Sequence, residues 1–295
     1  GNAGIVASTA WTFSPYIVFL EPHARGEVAE TLALGMAPVV FWTFSRICQS
    51  GSVRFMAGAA LSLAALIMAH PLAALAVYGL LLAYLLSQLL VAPLVDDGAN
   101  VTQSRKVIPL VVGALVFGLA LAAMYWLPAG LERESVRLDF YGKGHYDFRK
   151  HFIPVTDLVS PALWVDLGAA FPDFRFSLGP PQLIFGFLGS LTLLHGRLRQ
   201  STAVFLSLAT LFSVYLMTDA SLGMWEVIPP MRFFQFPMRF LGSAALTLAP
   251  LAGMAVRWGE LAKPRWTAGA LAAVMIIMLV GAALPLTYPP RWNDF

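Results

Sequence analysis

Nine apolar runs, separated by loops that are mostly short and several of which carry Lys and Arg, constrain this chain more than any other feature. They occupy residues 3–20, 28–45, 54–69, 71–94, 107–127, 181–194, 201–217, 238–257 and 266–284. A helix crosses the hydrocarbon core of a bilayer in about 20 residues, and fewer suffice where it is tilted or packed among others. The third and sixth runs fall short of that length. His70-Pro71 separates the third run from the fourth, because the residue before a proline avoids the helical region. A soluble core of 295 residues cannot hide so much apolar surface: 58% of the chain is hydrophobic and 12% charged, against roughly 25% charged in soluble domains. The sequence therefore predicts an all-α, polytopic transmembrane helical bundle of about nine helices.

The cations assign sides to it. Four short connections carry Arg46 and Arg54, Arg105 and Lys106, Arg197 and Arg199, and Arg257, Lys263 and Arg265, against Asp96, Asp97 and Glu260. All four fall on one side of an alternating nine-helix path, and the positive-inside rule makes that side cytoplasmic. The net charge of +3 and the pI near 9.1 are thereby accounted for as topology signals, and no nucleic-acid partner is implied. The expected location is the inner (cytoplasmic) membrane, multi-pass. Residues 21–27, the His70 turn, 128–180 and 218–237 then lie outside. Cys48 is the sole cysteine, so no intrachain disulfide forms.

Residues 128–180 are the one sizeable polar segment, with six cations and seven anions among many Phe, Tyr, Trp and Pro. That balance is neither a polybasic strip nor an acidic tail, and the aromatic content argues against disorder. It reads as a compact external loop with a short helix near 155–163, packed on the mouth of the bundle. No repeat or linker divides the chain, so residues 1–295 form a single transmembrane domain. Residue 1 is Gly and a full-looking span begins at once, so the sequence reads as beginning partway through a longer protein.

The most site-like stretch is 229–240, PPMRFFQFPMRF. Prolines break helices, aromatics suit the membrane boundary, and arginines at that depth need an anion, a carbonyl or water. Arg232 and Arg239 are candidates for a lipid phosphate, since a planar guanidinium gives it two charge-assisted hydrogen bonds. Arg25 and His70, at other outer helix ends, are candidates to complete that pocket. Glu27 and Glu30 read as first-turn residues that complement a helix dipole. Glu132 and Glu134 are candidates for a general base or, together, for a divalent cation, the one cofactor that the residues suggest. His145, Asp147 and His151 fit no familiar zinc spacing. No Glu–Arg relay is expected inside the helices, which disfavours a pump, and no nucleotide or hydrolase motif is present.

Several stretches in order resemble a known family. They are Phe13-Ser14-Pro15-Tyr16, Arg25-Gly26-Glu27-Val28-Ala29-Glu30, Ala69-His70-Pro71, residues 126–133 (WLPAGLER), 147–152 (DFRKHF), 176–179 (FSLG) and 234–241 (FQFPMRFL). They resemble bacterial membrane proteins labelled "6-pyruvoyl-tetrahydropterin synthase-related", which in turn look like relatives of the GT-C glycosyltransferases. The resemblance implies a GT-C-like bundle that transfers a sugar from a polyprenyl-phosphate donor on the outer face. It also implies a lipid partner and a role in the cell envelope. GT-C enzymes carry their acidic catalytic motif in a first external loop that has no counterpart here, so the resemblance supplies no catalytic Asp. An incomplete relative, or a non-enzymatic integral membrane subunit of a larger complex, is the alternative. The topology is checked by cysteine labelling of whole cells: a cysteine placed at Ser135 is expected to react with an impermeant reagent, and Cys48 is expected to be spared.

Overall fold

A computed structural model describes residues 1–96, 101–132, 135, 143–166, 175–195, 200–262 and 266–287. Among these residues the regular structure is helical, without strands. The nine apolar runs are largely helical, the run at 107–127 being divided between two helices. Six stretches are long and apolar enough to cross a membrane: Asn2–Ala24, Val28–Ser50, Pro71–Leu94, Gln200–Met217, Pro237–Leu261 and Thr267–Thr287. Lys106–Leu121 and Ala123–Leu131 make a seventh if a pair bent by 66° counts as one span. Val53–Ala69 and Pro180–Leu194 are shorter apolar helices. The chain is a helical multi-pass membrane protein.

The main helices are α1 (Asn2–Thr12), α2 (Val28–Ser50), α3 (Val53–Ala69), α4 (Pro71–Leu86), α5 (Val101–Leu121), α6 (Ala123–Leu131), α7 (Pro180–Ser190), α8 (Gln200–Met217), α9 (Phe240–Met254) and α10 (Thr267–Thr287). Prolines explain the departures from regularity in the first span. Pro15 and Pro22 lack amide donors, and the chain passes from α1 into a π-helical stretch, Tyr16–Ala24, the local widening that absorbs a missing bond. Gly51, at φ +60°, closes α2 in the left-handed conformation that glycine tolerates. The bend between α5 and α6 has a side-chain cause. The Trp126 indole donates to the Leu119 carbonyl at 2.8 Å, an oxygen that an unbroken helix would bond to its own backbone four residues on.

At the centre stands α9, almost wholly buried and packed by α1, α7 and α8. Lipid tails are as apolar as leucine, so helices in a bilayer associate through close backbone approach at small residues and through interhelical hydrogen bonds. Both devices are present. Gly253 of α9 lets the Ala3 carbonyl of α1 come within 2.5 Å of where a side chain would begin, and Gly189 of α7 admits the Leu251 backbone. Thr210 of α8 and Thr247 of α9 share a hydrogen bond at 2.8 Å, and Thr43 and Ser62 tie α2 to α3 at 3.2 Å.

The described part of the 128–180 segment packs against one end of the bundle. Ile153 donates its amide to the Met217 carbonyl at 2.8 Å, and Phe148 stacks on the fully buried Trp225 at 5.1 Å. A short helix, Val155–Leu158, lies where one is expected. At the far end Asp96 caps α8 from another segment, accepting from the Ser201 amide at 3.0 Å and its hydroxyl at 2.5 Å. The expected inner cations Arg197, Arg199, Lys263 and Arg265, like the Arg105 side chain, lie outside the described residues.

The central packing makes one mutation decisive. A methyl group at Gly189 meets backbone rather than a movable side chain, whereas at Gly79 it meets nothing within 4 Å. Gly189→Ala is expected to cost about 3 kcal/mol, at the upper end of the usual overpacking range, and to lower the unfolding temperature in detergent. Gly79→Ala is expected to leave that temperature unchanged or raise it.

Candidate functional site

Glu30 is where the candidate residues meet. It sits in the first turn of α2 and is 1% exposed. Its Oε2 lies 3.4 Å from Arg25 Nη1, 3.7 Å from Arg239 Nε and 3.9 Å from His70 Nε2. Glu21, fully buried on the π-helical stretch, accepts from Arg25 Nη1 with both oxygens, at 2.6 and 2.7 Å. The same nitrogen approaches the Tyr16 hydroxyl at 3.4 Å. Two carboxylates and two guanidiniums make a formally neutral group, as burial of ions requires. Glu30, read from the sequence as a residue that complements the dipole of its own helix, is also the meeting point of these charges. The signal was available in part, since Glu21 and Arg25 are four apart and share a helical face.

The arginines differ in how well they are satisfied. Arg25 is held by Glu21. The Arg239 side chain is only 9% exposed, and its Nε and Nη1 have no hydrogen-bond partner. A guanidinium carries five donors and no acceptor, and buried polar groups as a rule find partners. Arg239 also directly precedes α9, where the amide ends and the helix dipole favour an anion over a cation. Glu30 meets part of that need from 3.7 Å.

The approach to α9 places Arg239. Gln235 has φ +61° without being glycine, Phe236 is extended, and Pro237–Arg239 form a 3-10 turn before α9 begins. No continuous helix therefore joins Arg232 to Arg239. Arg232 is exposed, and its Nη2 donates to the Glu226 carbonyl at 3.2 Å. So the fold brings Arg25, His70 and Arg239 together and leaves Arg232 outside the group. Glu132 is exposed at the end of α6. Glu134 lies outside the described residues.

Beside the cluster is a cavity of about 420 Å³ between the loop segment and the bundle, with Arg25, His145, Lys150, His151 and Asp157 set among apolar residues such as Phe236 and Met238. His151 meets the Phe236 ring edge-on at 4.8 Å, and its Nε2 is 2.6 Å from the His145 carbonyl. Asp147 instead accepts from the Arg149 amide at 3.1 Å. Among the described residues no three His, Cys, Asp or Glu side chains are grouped to hold a metal ion. Lys150 and His151 thus face a cavity that contains Arg25, a role that their sequence positions did not suggest. Sequence spacing could not have found it, because the loop folds back over the bundle.

A family model described as "6-pyruvoyl-tetrahydropterin synthase related domain; membrane protein" matches residues 2–288. The chain belongs to that family. The match runs from α1 to the end of α10, so in this member of the 6-pyruvoyl-tetrahydropterin synthase related family the Glu30 cluster and the loop segment both lie within the family's shared region. No curated protein matches the chain.

His70 gives the cluster a measurable signature. Its Nδ1 accepts from the Ala73 amide at 3.1 Å and caps α4, which leaves the proton on Nε2, facing Glu30. Burial pushes the imidazole below its ordinary value of 6.5; Arg239 and Arg25 add to that, and Glu30 and Glu27 oppose it. A histidine with a lowered pKa binds fewer protons folded than unfolded. Its contribution is therefore complete above about pH 6.5 and is lost as pH falls below it. Melting temperatures between pH 7.5 and 5.5 are expected to fall more steeply for the parent than for His70→Asn, which caps a helix but does not titrate. Equal slopes would remove His70 from the account.

Proposed function

We propose that the protein binds a lipid phosphate at the loop end of the bundle, as the donor site of a GT-C-like, polyprenyl-phosphate-dependent glycosyl transfer on the outer face of the membrane. The observation that carries this reading is Arg239: nine-tenths buried, with Nε and Nη1 lacking a hydrogen-bond partner although Glu30 lies 3.7 Å from Nε, directly before a fifteen-residue helix. A phosphate oxygen suits such donors, since a hydrogen bond from a guanidinium to an anion is charge-assisted. Around the adjacent cavity Arg25, Lys150 and His151 outnumber the carboxylate of Asp157, which supports an anionic or hydroxyl-rich head group there. A cavity of about 420 Å³ falls within the roughly 300–1,000 Å³ of small-molecule sites. No catalytic base is assigned, because Glu132 stands apart from that cavity and both cluster carboxylates are engaged by arginine.

That engagement favours a second reading. Glu21 takes Arg25 at 2.6 Å, and a neutral, closed ion group is what a non-enzymatic membrane subunit would use to lock three helix ends. The two readings separate on Arg239. With the protein in nanodiscs, Arg239→Ala and Arg239→Lys are expected to weaken undecaprenyl phosphate binding about tenfold or more. That corresponds to the loss of a hydrogen bond to a charged group, about 1.5–3 kcal/mol. Parent-like binding by both folded variants would leave the cluster a structural device.

A further inference from the structure

The segment that carries Arg239 has a second face. In the middle of Phe234–Phe240, Phe236 and Met238 line the cavity beside the cluster, whereas Phe234 and Phe240 at its ends line a separate apolar groove of about 470 Å³. The groove runs between α4 and α8, with Gly79 and Ala83 on one wall and Phe205 and Phe212 on the other. Both helices are candidate membrane spans, and Phe212 is half exposed, so the groove opens sideways toward the acyl chains of a bilayer. It begins near the cluster. Helical rise puts Gly79 about 13 Å along α4 from the His70 cap.

We infer that this groove seats the hydrocarbon tail of the lipid whose phosphate is held at Arg239, and that the lipid has a single chain. The inference rests on the phosphate reading for the head group and adds the tail. A dry cavity of about 150 Å³ accepts one benzene ring; the groove has about three times that volume within its walls, which suits one chain better than the paired chains of an ordinary bilayer phospholipid. Its small residues lie on one strip of α4, where Gly79 is exposed and a side chain built on it meets nothing within 4 Å. That strip makes the groove; larger residues there would fill it.

Gly79→Leu tests this directly, and leucine is also the better helix former, so the variant is expected to fold at least as well as the parent. The probes are farnesyl phosphate, isopentenyl phosphate and dipalmitoyl phosphatidic acid, offered to the whole chain in phosphatidylcholine nanodiscs. Farnesyl phosphate is expected to bind the parent more tightly than isopentenyl phosphate. Gly79→Leu is expected to weaken farnesyl phosphate about tenfold or more, through lost chain burial, and to leave isopentenyl phosphate unchanged. Equal farnesyl phosphate binding by parent and Gly79→Leu overturns the groove assignment. Phosphatidic acid that binds as tightly as farnesyl phosphate and is equally sensitive to Gly79→Leu overturns the single-chain assignment. Arg239→Ala, measured beside it, separates this inference from the reading beneath it. If Arg239→Ala weakens both prenyl phosphates while Gly79→Leu weakens neither, the phosphate site stands and the groove falls. If Gly79→Leu weakens farnesyl phosphate and Arg239→Ala changes nothing, the tail site stands and the phosphate reading falls.

Discussion

In a bilayer the solvent offers helices no hydrophobic reason to leave it, so this bundle depends on how closely backbones can approach α9. Gly186 and Gly189 on α7, and Gly242 and Gly253 on α9 itself, each leave space that a neighbouring chain segment occupies. The dispersion attractions that such close approach brings are individually weak and collectively large, and they require shape rather than mere apolarity. Fixing α9 also fixes its N-terminus, and with it the position and depth of Arg239.

That position is costly in isolation. A cation before a helix N-terminus opposes the dipole, and burying it removes its water. Glu30 offsets part of both costs, since its carboxylate lies in the first turn of α2 and faces Arg25, His70 and Arg239 together. One residue thereby couples three helix beginnings, those of α2, α4 and α9, to the π-helical stretch. The proposed ligand would meet an arginine that the fold has already desolvated and oriented, and its binding would have to uncover the buried Nε and Nη1.

The helices were legible because apolar run length is a local property of sequence. The runs fell largely on helices, and the proline at 237 marked the break before α9. The bend at Ala122 was not legible, because it depends on an indole folding back seven residues to a carbonyl. The cluster was legible in fragments. Arg25, His70 and Arg239 drew notice as charged residues at helix ends, but Glu30 reads equally well as a dipole cap, and nothing local says that a residue at position 239 comes to face it. Arg232 shares the composition of its neighbours and yet turns outward, because Gln235 reverses the chain between the two arginines. The cavity beside the cluster was hidden for a related reason: its walls come from segments far apart in sequence.

The Asp96 cap on Ser201 carries a consequence for how the chain is threaded. Two groups in direct contact occupy the same side of the membrane, so between residues 96 and 201 the chain must cross an even number of times. Among the described residues the candidates in that interval are α5, alone or with the bent α6, and α7. If α5 crosses, α7 must cross as well, although it falls short of a full span. The Glu30 cluster imposes the same parity on the interval from 30 to 70, where α2 and α3 are the candidates: if the long helix crosses, its seventeen-residue neighbour must return. Two polar contacts thus make each short helix share the fate of a long one, a rule that hydropathy alone cannot state.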